Sequence, residues 1–120
     1  MATIQITSEN FEQTITGNDI VIIDFWASWC GPCLRFAPVF EEASEKHSDV
    51  VFAKVNTEEE QELARMFQVR SIPMVAVFRE QIGLFKQAGA LPPAALEELL
   101  SRIKAVDMDD VRKQIEEEEN

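Results

Sequence analysis

Basic residues are scarce in this chain: 11 lysines and arginines stand against 22 aspartates and glutamates, a net charge of −11 over 120 residues. That balance excludes a nucleic-acid partner, because binding a phosphate backbone needs cationic surface to displace counterions. It disfavours anionic membrane surfaces for the same reason. Long apolar runs are missing too. The longest of note, Ile20–Ile23 and Met74–Phe78, fall far short of the roughly 20 residues a bilayer span requires. Met1–Asn10 has neither a basic residue nor an apolar stretch of the kind a secretory signal carries, so the expected location is the cytoplasm. No Gly/Ser-rich or Pro-rich tract and no internal repeat interrupts the chain, which argues against disorder and for one compact unit.

The acid excess is uneven. Residues 107–120 hold seven acids against Arg112 and Lys113, leaving −5 there and −6 on the remainder. This divides the chain into a domain over 1–106 and an acidic extension over 107–120.

Hydrophobic periodicity organises the first part. Thr3 to Ile6 is a short strand candidate, and Ser8 suits the N-cap of a helix that shares Phe11 and Ile15 on one face. Ile20 to Trp26 is an apolar, β-branched run of the kind buried on both faces of a parallel sheet, with Asp24 its one charge. Cys33 to Lys46 reads as a helix with an apolar stripe of Phe36, Val39, Phe40 and Ala43, Pro32 suiting its first turn. Val50 to Val55 is a further strand and Glu59 to Phe67 a further helix. Met74 to Phe78 and Leu84 to Ala88 form a hairpin, and Pro92-Pro93 opens a helix carrying Leu96, Leu99, Leu100 and Ile103. Val111 and Ile115, four apart, give a weak terminal helix. The expected fold is α/β: a central mixed sheet of about five strands flanked by about four helices, with a short acidic helical extension.

Cysteine occurs twice, in Trp29-Cys30-Gly31-Pro32-Cys33, between a buried strand and a helix. A structural zinc site needs four ligands, and the single histidine, His47, cannot complete the set within the chain. A purely structural bridge closing a four-residue loop returns only about 2 kcal/mol, against about 4.7 for a hundred-residue loop. Redox chemistry suits the spacing better. A sulfur at the start of a helix meets free N–H groups and the positive end of the dipole, which favour thiolate over thiol. Cys30 is therefore the expected nucleophile. Cys33, one turn inside, is close enough to attack the mixed disulfide that Cys30 forms with a substrate.

Phe25 to Cys33, with Asp24 before it and Ile72-Pro73 downstream, resembles thioredoxin of the bacterial type over roughly residues 3–105. The resemblance implies a protein-disulfide reductase that binds no cofactor and no metal and draws electrons from NADPH through thioredoxin reductase. Its partners would be that reductase and disulfide-containing client proteins. It implies roles as well. Asp24, a buried acid with raised pKa, would relay the proton of Cys33, with Lys54 on the neighbouring strand beside it. Gly31 and Pro32 would shape the loop. Trp29, Ile72, Pro73 and Gly89 would receive substrate, the Ile72–Pro73 peptide being cis and facing the sulfurs. Each also has a plainer reading: Asp24 as a structural acid paired with a cation, Trp29 as core, Ile72-Pro73 as an ordinary strand entry, Gly89 as a strand-end turn. His47 and Glu58 to Glu60 read as surface residues without a catalytic role.

The match departs from the family at Leu34, where a basic residue is common, at Met74, where threonine is common, and at Glu80-Gln81, where a glycine turn is usual. A competing function is a client-binding or chaperone module on the same fold, with redox turnover incidental.

Overall fold

Every second residue of Ile20–Trp26 (β2) points to the same face of a sheet, and both faces of this strand are apolar. It can therefore only lie at the centre with cover on each side. The computed structural model, which describes residues 2–119, places it there. Thr3–Gln5 (β1), Val51–Asn56 (β3), Met74–Arg79 (β4) and Ile82–Ala88 (β5) complete a five-stranded sheet in the order β1-β3-β2-β4-β5. The first three strands run parallel and the last two antiparallel. This is the mixed sheet expected, with helical crossovers in the first half and a hairpin in the second.

Phe11–Thr16 (α1) and Gln61–Met66 (α3) cover one face, where Ile15 and Leu63 pack with Val21, Ile23, Phe25, Ala53 and Val55. Gly31–Lys46 (α2) and Pro93–Ala105 (α4) cover the other, bringing Phe36, Phe40, Leu96 and Leu100 onto Ile22, Phe52, Val75 and Val77. Side chains of this size each contribute about 1.5–3 kcal/mol when fully buried. Asp24 has the parity of Ile20 and Ile22 and so faces the α2 side.

Boundaries differ from expectation where side chains redirect the backbone. The N-cap of α1 is Asn10 rather than Ser8: Thr7 N–H donates to Asn10 Oδ1 at 2.8 Å, while the Ser8 hydroxyl turns to Glu60. Helix α3 starts at Gln61 because the Asn56 carbonyl takes the N–H groups of Glu59 and Glu60 in a preceding turn. The hairpin turns on Glu80 and Gln81, both with left-handed φ, 51° and 70°. Glycine normally takes such positions; here Glu80 N–H donates to Asp19 O at 2.7 Å and the Glu80 carboxylate pairs with Arg112.

That arginine belongs to Met108–Glu119 (α5), a full fifth helix rather than a weak one. Met108 is buried, and Asp110 N–H donates to Asp107 Oδ1 at its first turn. Arg79 fixes the junction with α4: its Nη1 donates to the carbonyls of Ile103 and Val106 at 2.8 Å and of Lys104 at 3.2 Å. Among the described residues no helix is long and apolar enough to cross a membrane.

Candidate functional site

Strand β2 ends at Trp26, and the chain reaches α2 within four residues, so whatever occupies that link sits at a helix N-terminus. Cys30 is the N-cap, with extended backbone (φ −88°, ψ 108°), and Gly31 and Pro32 form the first helical positions. Cys33 is joined to Cys30 by a disulfide, their Cα atoms 5.2 Å apart. The amide of Cys33 donates to Cys30 Sγ at 3.2 Å. Such a contact satisfies one of the orphan N–H groups of the helix start, and on a free sulfur it favours the anion. Of the two, Cys30 is the more exposed, at 4% against 1%.

Around the sulfurs lie Ala27, Trp26 and Ile72. The Ile72–Pro73 peptide is cis, and the Ile72 carbonyl oxygen lies 3.7 Å from Cys30 Sγ. A disulfide sulfur has no proton to give, so this becomes a hydrogen bond only in the dithiol state. Gly89, with φ 112°, donates its N–H to the Pro73 carbonyl at 2.8 Å, which ties the end of β5 to the same loop. No L side chain adopts that φ easily. Trp29 stands beside the pair with 69% of its surface open.

Asp24 is fully buried on β2, and neither carboxylate oxygen has a hydrogen-bond partner. Burial pushes its pKa up to about 7, and the nearby Lys54 charge only partly opposes this. Lys54 is Asp24's register partner on β3, yet its ammonium lies over the Trp26 ring, 4.9 Å from the centroid. The cation is thus held by the indole face while the acid remains desolvated.

Cys30, Ile72, Pro73 and Gly89 therefore meet at one end of the sheet, while Asp24 and Lys54 pair inside the adjacent strands β2 and β3, two residues before each ends. Sequence reasoning missed Glu58. Its carboxylate accepts from Trp29 Nε1 at 2.5 Å, and it reaches that position because Thr57 N–H and Oγ1 both donate to the Trp26 carbonyl, at 2.9 and 3.1 Å. Among the described residues no group of three or more His, Cys, Asp or Glu is arranged to hold a metal ion.

Comparison with known proteins agrees with this arrangement. The family model described as Thioredoxin matches residues 2–102. A putative thioredoxin 2 of Streptomyces coelicolor is 50% identical over 118 residues, 98% of this chain and 88% of that protein. A thioredoxin of Alicyclobacillus acidocaldarius is 41% identical over 103 residues, 85% of this chain and 98% of its own. Among solved structures, a Plasmodium falciparum thioredoxin superimposes with a TM-score of 0.77 at 34% identity, covering 83% of this chain and 97% of that one.

Proposed function

The chain belongs to the thioredoxin family and is a thiol/disulfide oxidoreductase, and from that premise we propose that it reduces disulfides of client proteins, with Cys30 attacking and Cys33 resolving. The Cys30 thiolate attacks one sulfur of a client disulfide, the client S–S bond breaks, and the departing client sulfur takes a proton. Cys33 then loses its proton and attacks Cys30 Sγ. The second client sulfur leaves, so the client gains two electrons and the Cys30–Cys33 bond forms.

The observation that carries this reading is the Cys33 amide aimed at Cys30 Sγ at the helix start. Asp24 supplies the base for the second step. A carboxyl held near pKa 7 exchanges protons at neutral pH, where an ordinary aspartate stays ionised. Lys54 moderates that value from the neighbouring strand. Gly31 and Pro32 set the turn between the sulfurs, and Trp29, Ile72, Pro73 and Gly89 form the rim for an extended client segment, which the Ile72 backbone can pair with.

In this reading the cysteine pair is the redox group and no cofactor is bound. Electrons come from NADPH through thioredoxin reductase, and the setting is the cytoplasm. Residues 1–106 carry the exchange, and 107–120 is an accessory extension.

Insulin reduction by dithiothreitol, followed as turbidity, tests the proposal. The wild-type chain is expected to accelerate it and Cys30→Ser to abolish the acceleration. Negligible wild-type reduction alongside undiminished client binding by Cys30→Ser would overturn it in favour of a binding module.

A further inference from the structure

Between α4 and the edge strand β5 runs an apolar groove of about 550 Å³. Leu84, Leu91, Leu99, Ile103, Val106 and Val111 line it. Leu84, Leu91 and Leu99 pack inward against the core yet remain only half-buried. The groove starts at Leu91, two residues past Gly89, and ends at α5.

Helix α5 lengthens this surface. Met108, Val111 and Ile115 recur at i, i+3 and i+7 and so share one helical face. Met108 is buried, Val111 forms a groove wall, and Ile115 is 37% exposed, so the apolar stripe continues beyond what the domain covers.

The charge beside it is mixed but net acidic, and two of its cations, Arg102 and Arg112, are already paired. Arg102 is held by Glu98 at 2.9 Å, and Arg112 by Asp109 at 2.6 Å and by Glu80. Glu116–Glu119 follow as an unbroken acidic run.

We infer that this groove docks a cationic amphipathic helix from another protein, its apolar side on Leu91, Leu99 and Val111 and its lysines or arginines facing the acids of α5. Like-charge repulsion argues against a second copy, since each copy carries −11. The length fits: α4 has 13 residues, about 20 Å at 1.5 Å per residue, which a partner of three to four turns would span. The inference does not depend on disulfide exchange.

The test uses the full chain, isotope-labelled for NMR, and a 14-residue leucine–lysine amphipathic peptide, with a leucine–glutamate peptide of the same pattern as control. Amide shifts confined to β5, α4 and α5 are expected, with the glutamate peptide binding at least about tenfold more weakly. Ala95→Lys, which sets a cation on a half-buried helical position lining the groove, should weaken binding by about tenfold. The fourfold variant Glu116→Gln, Glu117→Gln, Glu118→Gln, Glu119→Gln should weaken it severalfold at low salt and leave insulin reduction unchanged. Shifts spread over other faces, equal binding of the two peptides, or an unchanged Kd in Ala95→Lys would overturn the inference. So would a concentration-dependent dimer in sedimentation that Ala95→Lys abolishes, which would assign the groove to a second copy.

Discussion

The indole of Trp29 and the carboxylate of Glu58, 29 residues apart in sequence, are joined by a hydrogen bond of 2.5 Å that spans the loops after β2 and β3. The bond orients the most exposed large apolar side chain of the site without burying it. The aromatic surface beside the sulfurs is thereby preorganised rather than free to swing, and preorganisation reduces the ordering cost of binding.

Removing that tether should loosen the ring. In a Trp26→Phe background, which leaves Trp29 as the only tryptophan, Glu58→Ala is expected to lower steady-state emission anisotropy. KM for a protein disulfide should rise by about threefold, the scale an exposed polar contact carries, with kcat unchanged. An unchanged anisotropy would mean that the carboxylate does not hold the indole.

Asp24 makes stability depend on pH in a definite direction. Its carboxyl has an unfolded pKa of 3.8 and a folded pKa of about 7, so the folded chain prefers the proton. Stability associated with this group is fully present below the unfolded value and is lost as pH rises toward the folded one, by on the order of 4 kcal/mol. Asp24→Asn should therefore match the wild type near pH 3 and exceed it in urea midpoint at pH 8. It should also slow resolution of the mixed disulfide by at least about tenfold. Equal midpoints at pH 8 would show that the buried carboxyl is not strained.

Cys33→Ser should accumulate covalent adducts with disulfide clients, because attack by Cys30 survives while release is blocked. Non-reducing electrophoresis and mass mapping should place the client on Cys30. Adducts on Cys33 in the Cys30→Ser variant, with none in Cys33→Ser, would reverse the two roles.

Much of this site was legible before the fold. The run Ile20 to Trp26 announces a central strand because it is apolar at every position but one, and that exception, Asp24, announces itself as the buried acid. Cys30 and Cys33 follow from spacing and from the helix that Phe36, Phe40 and Ala43 define. Glu58 was hidden for a physical reason. Three consecutive glutamates before a helix look alike, and only the doubled hydrogen bond of Thr57 to the Trp26 carbonyl selects which one meets the indole. His47 was likewise read as a surface residue. Its ring stacks on Phe52 of β3, centroids 6.4 Å apart, and its Nε2 bonds Glu97 of α4 at 2.8 Å, contacts that exist because the end of α2 lies against both elements.

A turn near Arg79 to Gly83 is legible between the two strands of the hairpin, but its left-handed backbone at Glu80 and Gln81 is not, since it is held from outside by Asp19 and Arg112. A non-glycine residue there costs roughly 1 kcal/mol. Gln81→Gly, at φ 70°, should raise the urea-derived stability by about 0.5 kcal/mol after the added freedom of the unfolded chain is subtracted. A loss of stability would mean that the Gln81 side chain contributes more than its backbone costs.

Met108 anchors α5 and is 4% exposed. Met108→Ala should cost about 2 kcal/mol, at the low end for a buried methionine at a domain edge. Hydrogen exchange should accelerate first in 108–119 and leave β2 and β3 protected. Uniform acceleration throughout the chain would mean that the extension unfolds only together with the domain.

Arg79 sits five residues along β4 from Met74, at the far end of the strand from the cis proline, and there it clasps the last carbonyls of α4. The chain is consequently steered away from the sulfur pair before α5 begins. Tethering the molecule to a bead or a carrier through Asp107, directly after that clasp, would leave the reactive tip pointing outward, so an immobilised form should turn over macromolecular clients as readily as the free one.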